Sequence, residues 1–193
     1  MSGNHAVILA AGKGSRFHSE EYKLLAPVDG IPMILRTLGT ALRAGFDEVI
    51  VVIGSHGEAM RDTLKDLPVR IVENKSWEDG QSSSLAAGIL ALPETSERVC
   101  LLLGDQPWIR PETIRTLVRE AEVHPEDVIV PFFRERRGNP IVVPASLYEK
   151  MLSLSRGDMG GRMFLEQNGY RSVPVEDPGV IRDVDTVEEL KHE

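Results

Sequence analysis

The sequence is short of cysteine, of aromatic residues and of positive charge. Cys100 is the single cysteine in 193 residues, which excludes a disulfide scaffold and any multi-cysteine zinc site. Lysine and arginine total 22 against 30 aspartates and glutamates, a formal net charge of −8. That balance argues against a general nucleic-acid binder, whose surface is basic. No apolar run approaches the ~18 residues of a membrane-spanning helix. The opening stretch MSGNHAVILAAGKGSR has neither a basic leader nor a secretory cleavage site. The histidines His5, His18, His56, His124 and His192 are scattered without metal-ligand spacing, and no GxSxG nucleophile elbow occurs. These absences predict a cytoplasmic protein with no nucleic-acid and no membrane partner.

What is present is an alternation. Short apolar runs fall at residues 6–10 (AVILA), 49–53 (VIVVI), 69–72 (VRIV), 99–103 (VCLLL), 128–130 (VIV) and 141–143 (IVV). The first, second and fourth are apolar throughout, as suits strands covered on both faces of a parallel sheet. Between the runs lie helical stripes. Ile34, Leu35, Leu38, Ala41 and Leu42 form one, stopped by Gly45. Leu85, Ala86, Ile89 and Leu90 form another, with Ser82, Ser83 and Ser84 as candidate caps. Pro111 opens a third, and Asn168-Gly169 closes one containing Met163 and Leu165. Ser146 with Glu149, and Thr186 with Glu189, have the spacing of capping boxes. The chain length fits one domain over residues 1–193. The expected fold is α/β, a layered sheet with ligands bound beyond the carboxyl ends of its strands.

The residues at those strand ends are informative. After the first run comes Ala11-Gly12-Lys13-Gly14-Ser15-Arg16, then Lys23. Two glycines let backbone N–H groups converge on an anion, and three cations stand close by. A plain βα turn is the competing reading. The P-loop string is absent. The dinucleotide fingerprint fails at Phe17, and Gly54-Ser55-His56 stands where its ribose-binding acid would follow the second run. Asp105, in Gly104-Asp105-Gln106-Pro107, is suited to hold Mg²⁺ while substrate phosphates complete the shell, with an Asx turn as the alternative. Of the later pair, Asp183 is the better metal candidate, because Asp185 adjoins a helix start. The polar stretch from Glu73 to Ser84 could read a base and ribose, and Trp77 reads as a packing anchor. Residues 134–140 (RERRGNP) concentrate three arginines, suited to an anionic substrate or to a solvated hairpin tip. Cys100 reads as an inert core thiol.

The strings LAAGKGSRF with KLL, VENKSWEDGQSSSLAAG, LLLGDQPWI, RGNPIVVP, GDMGGR and DVDTVEEL run in that order along nearly the whole chain. Together they resemble the MobA-like nucleotidyltransferases, nearest the molybdenum cofactor cytidylyltransferase branch (the MocA and PucB type). The resemblance implies a Rossmann-like three-layer α/β/α fold with a mixed, mostly parallel sheet. It implies transfer of CMP from CTP, or less favourably GMP from GTP, to the terminal phosphate of molybdopterin, with release of pyrophosphate. It assigns nucleotide contacts to Leu9, Ala10, Ala11, Gly12, Gly14, Lys23, Asn74, Gly80, Ser82, Ser84 and Asp105. Catalytic charge falls to Lys23, Arg16 and Asp105, and Mg²⁺ to Asp105 and Asp183. Arg137, Asn139 and Asp158 lie where the pterin substrate would bind. A molybdoenzyme of the xanthine dehydrogenase type, or a cofactor chaperone, is the implied partner. Ala11 places a methyl group where the guanylyl branch has glycine, which would narrow the pocket toward CTP. Phe17-His18, Gly80-Gln81 and Gly138-Asn139-Pro140 depart from the usual family strings.

A phosphate monoester is mostly dianionic at neutral pH, with a second pKa near ~6, so such a nucleophile needs no general base. The missing catalytic histidine and serine are then consistent with the chemistry. Two alternatives remain: a cytidylyltransferase for a sugar or polyol phosphate, and a nucleotide- or cofactor-binding delivery module without turnover.

Overall fold

The computed structural model describes residues 3–15, 17, 22–155 and 161–190. Ten strands and six helices alternate along the described chain. The strands are β1 (Asn4–Ala10), β2 (Pro27–Val28), β3 (Ile31–Pro32), β4 (Glu48–Ile53), β5 (Arg70–Glu73), β6 (Arg98–Leu103), β7 (Ile129–Phe133), β8 (Arg136–Arg137), β9 (Ile141–Pro144) and β10 (Arg171–Pro174). The helices are α1 (Met33–Ala44), α2 (Gly57–Leu64), α3 (Gln81–Leu90), α4 (Pro111–Val123), α5 (Tyr148–Leu154) and α6 (Arg162–Asn168). The main sheet has the order β10-β7-β9-β6-β1-β4-β5, with β8 pairing β7. β1 runs parallel to both β4 and β6, whereas β9 is antiparallel to its neighbours β6 and β7. The expected mixed, mostly parallel α/β fold is thus present.

Strand periodicity divides the core in two. Ala6, Ile8 and Ala10 of β1 face one layer, together with Val49, Val51 and Ile53 of β4, and pack against α1, α2 and α4. Val7, Ile50 and Val52 face the other, against α3, α5 and α6. Both faces are covered, so β1 and β4 carry no polar alternation. Cys100 is buried on the first face, and that burial pushes its thiol well above the ordinary range. No helix among the described residues is long and apolar enough to cross a membrane.

Helix ends follow the sequence in part. Gly45 ends α1 at φ 92°, Pro111 starts α4 and Gly169 follows α6. Two expectations are corrected. Ser82, Ser83 and Ser84 lie inside α3 rather than capping it, because Gly80, at φ 94°, makes the turn into the helix one residue earlier than the hydroxyls could. Ser146 bonds Glu126 instead of capping α5, which is preceded by a one-turn 3₁₀ helix at Ala145–Leu147. At Thr186 the box is half formed: its backbone N–H donates to Glu189 at 3.0 Å.

The C-terminal strap is anchored from a distance. Asp177 is 2 % exposed. Its carboxylate accepts from the Arg110 backbone N–H at 2.9 Å, the Thr113 hydroxyl at 2.7 Å and the Gly179 N–H at 3.0 Å. It therefore caps the start of α4 while fixing the segment that leads to Asp183 and Asp185. Asp177→Ala leaves buried donors unpaired and is expected to cost about 2–3 kcal/mol. Chemical denaturation reads this directly, and an unchanged midpoint would deny the anchor its role.

Candidate active site

The carboxyl ends of β1 and β6 border a cavity of about 640 Å³. The loop after β1 forms one wall, and Lys23, Asp105, Asp183, Asp185, Trp77, Gly80, Gln81 and Ser84 contribute others. Gly14 has φ +64°, and a side chain there would run into Lys23. Gly54 is required by close approach: a methyl group built on it would lie 2.7 Å from the Ala11 carbonyl oxygen and 2.8 Å from the Trp77 Cβ.

Lys23 opens a one-turn 3₁₀ helix, Lys23–Leu25, between the buried anchors Tyr22 and Leu24. Its ammonium donates to Asp105 Oδ2 at 2.8 Å and to Asp185 Oδ1 at 3.2 Å. Asp105 follows β6 directly, and its backbone carbonyl accepts from the Val184 N–H at 3.0 Å. That single bond brings the strap into register so that Asp185 reaches Lys23. The other carboxylate oxygen of Asp105, Oδ1, is buried and has no hydrogen-bond partner among the described residues. Such an atom is costly to leave bare and suits a cation.

The structure thus unites Lys23, Asp105 and the glycine loop, as the sequence implied. Asp183 and Asp185 both border the cavity. Asp183 is exposed at the cavity rim, whereas Asp185 joins the charged centre. The adjoining turn had pointed to a capping role for Asp185, but Glu189 fills that role, accepting from the backbone N–H groups of both Asp185 and Thr186. Asn74 does not line the cavity. Its amide donates to Ser83 and Ser84 at 2.8 and 3.0 Å and accepts from the Ser76 N–H at 3.0 Å, so it staples the loop that carries Gly80. Ser82 is buried away from the cavity lining, while Ser84 borders it. Ala11 is only 2 % exposed and its methyl packs toward Gly54. Ala11 is at the same time one of the residues that border the cavity. Arg16 and Asp158 lie outside the described residues.

A second cavity of about 250 Å³ adjoins the first and shares Leu9, Gln81 and Leu103 with it. Arg137, Asn139 and Arg162 stand on its walls over an apolar floor that includes Leu85, Leu101 and Ile141. Arg137 belongs to the exposed hairpin of β7 and β8 and also stands on the wall of this cavity. Sequence reasoning missed Tyr22, Gln81 and Arg162 as individual lining residues. Adjacency to Lys23, the start of α3 and the end of GDMGGR were the available signals.

The sequence profile of the MobA-like NTP transferase domain matches residues 6–173. Nicotine blue oxidoreductase of Paenarthrobacter nicotinovorans is 32% identical over 191 residues, covering 95% of this chain and 93% of that protein. The bifunctional protein GlmU of Syntrophotalea carbinolica is 39% identical over 117 residues, 61% of this chain but only 25% of GlmU. Among solved structures, a nucleotidyl transferase from Methanothermobacter superposes with a TM-score of 0.82 at 26% identity, covering 96% of this chain and 93% of the other.

Proposed function

The chain belongs to the MobA-like NTP transferase family and is a nucleotidyltransferase, and from that premise we propose that it transfers CMP from CTP to the terminal phosphate of molybdopterin. The observation that carries the transfer chemistry is Lys23 held between Asp105 and Asp185, with Asp105 Oδ1 buried and unpartnered beside a glycine loop. The donor and acceptor rest on the ordered motif strings, with GTP as the less favoured donor.

In this reading the triphosphate lies along Ala11, Gly12, Lys13 and Gly14, whose backbone N–H groups and flanking cations offset its charge. Asp105 and Asp185 would hold Mg²⁺; when bound, the ion neutralises phosphate charge and helps align the reacting oxygens. The ammonium of Lys23 stabilises charge on the α-phosphate and the departing pyrophosphate, with Arg16 as its neighbour in sequence. The acceptor occupies the adjoining cavity, where Arg137, Asn139 and Arg162 meet its anionic end. The acceptor phosphate oxygen attacks the α-phosphorus, the bond to the β-phosphate oxygen breaks, and pyrophosphate leaves. Positioning and charge neutralisation supply the catalysis, with no protein base.

The name of the Paenarthrobacter relative favours a second reading, an oxidoreductase. Against it, Phe17 occupies the place of the third dinucleotide glycine and the end of β4 carries no acid for a ribose. The two readings separate in one preparation. Pyrophosphate release is measured with CTP and then GTP, with molybdopterin and then a sugar phosphate as acceptor. Consumption of NADH and NADPH is followed in parallel. Release with CTP and molybdopterin is expected. Reduced-nicotinamide oxidation without pyrophosphate release would replace the transferase reading, and release with a sugar phosphate alone would replace the acceptor.

A further inference from the structure

Three consecutive carbonyls at the end of β1 are held from one side. The Tyr22 hydroxyl donates to the Gly12 carbonyl oxygen at 2.7 Å and lies 3.2 Å from that of Ala10. The Ser55 hydroxyl donates to the Gly12 carbonyl at 3.1 Å, and the Ser55 backbone N–H to the Ala11 carbonyl at 3.1 Å. In a trans peptide the C=O and the following N–H point to opposite sides. Pulling the carbonyls of residues 10–12 toward Tyr22 and Ser55 therefore turns the N–H groups of Ala11, Gly12 and Lys13 the other way. All three of those residues border the larger cavity.

The latch is itself braced. The Tyr22 ring stacks on the His56 imidazole with centroids 4.0 Å apart and planes at 13°. The Ser55 hydroxyl also meets His56 Nδ1 at 3.0 Å. Burial pushes the Tyr22 phenol up to about 12, so it keeps its proton as a donor through the neutral range. Tyr22, Ser55 and His56 come from two separate loops and converge on one stretch of backbone.

We propose that Tyr22, supported by Ser55 and His56, is a positioning residue that pre-forms the amide cradle for the nucleoside triphosphate. This rests on the nucleotidyl-transfer reading, and it says that donor affinity, not acceptor affinity, depends on the phenol. The ring stays in place in Tyr22→Phe while the hydroxyl that serves the Gly12 and Ala10 carbonyls is lost.

Binding of CTP with Mg²⁺ and no acceptor is measured by calorimetry on the full chain, alongside KM for donor and acceptor. Tyr22→Phe is expected to weaken CTP binding by about tenfold, the factor for one net hydrogen bond. The acceptor KM should stay at its wild-type value. Ser55→Ala, a milder change, is expected to weaken CTP binding by roughly threefold, and the double variant by less than the product of the two. Wild-type affinity in Tyr22→Phe, or an equal rise in both KM values, would overturn the latch. Absence of CTP and GTP binding in the unaltered protein would instead overturn the transfer reading on which the latch rests.

Discussion

Asp105→Ala is expected to abolish nucleotidyl transfer while the protein stays folded. One oxygen of this carboxylate holds the Lys23 ammonium, and the other is buried without a partner among the described residues. Removing the side chain takes away the bare oxygen that suits a cation and half of the setting of Lys23. The fold does not depend on it, since Val184 is held by the Asp105 backbone carbonyl, which alanine retains. Lys23 keeps Asp185 at 3.2 Å, so no buried cation is stranded. Pyrophosphate release and the thermal midpoint, measured on one preparation, check both halves. Full Mg²⁺-dependent turnover in the variant would remove Asp105 from the mechanism.

Lys23→Ala is the second large effect. Its ammonium is the cation that the structure places between both carboxylates. Loss of one preorganised electrostatic donor lowers kcat by about 10²–10³-fold. The decrease is expected in kcat and in kcat/KM alike, the signature of an interaction made in the transition state. A rise in the KM for CTP with kcat unchanged would make Lys23 a uniform binder. Stability should move little, because the two carboxylates border an open cavity and gain water when the lysine side chain is removed.

Much of this architecture was legible in the sequence, for physical reasons that differ by element. Past their first residues β1, β4 and β6 are buried on both faces and had to be apolar, so their runs could hardly be mistaken. α1 and α4 present wide apolar stripes with a glycine stop and a proline start. α2 carries only Met60 and Leu64 as buried contacts, too sparse a stripe to stand out. β10 reads Arg-Ser-Val-Pro, and only Val173 is buried. Its strand character comes from pairing with β7 and not from its own composition. The site shows the same division. Lys23 and Asp105 stand in motif strings and at strand ends. Around Asp185 the neighbouring residues report only a turn, while its ion pair comes from a residue 162 positions away. The amide of Asn74 turns to Ser83 and Ser84, a direction set by packing partners that lie apart from it in the sequence.

The three charged groups of the site also bear on the order in which the molecule is made. Lys23 meets Asp105 across 82 positions and Asp185 across 162. Contacts of such separation carry the largest loop-closure cost and form after local helices and neighbouring strands. A chain folded only through β6 holds Lys23 with one carboxylate. The second arrives when β10 has paired with β7 and Asp177 has seized the start of α4. Turnover is therefore expected to report complete folding, and partly folded chains that already possess the central strands are expected to be catalytically silent.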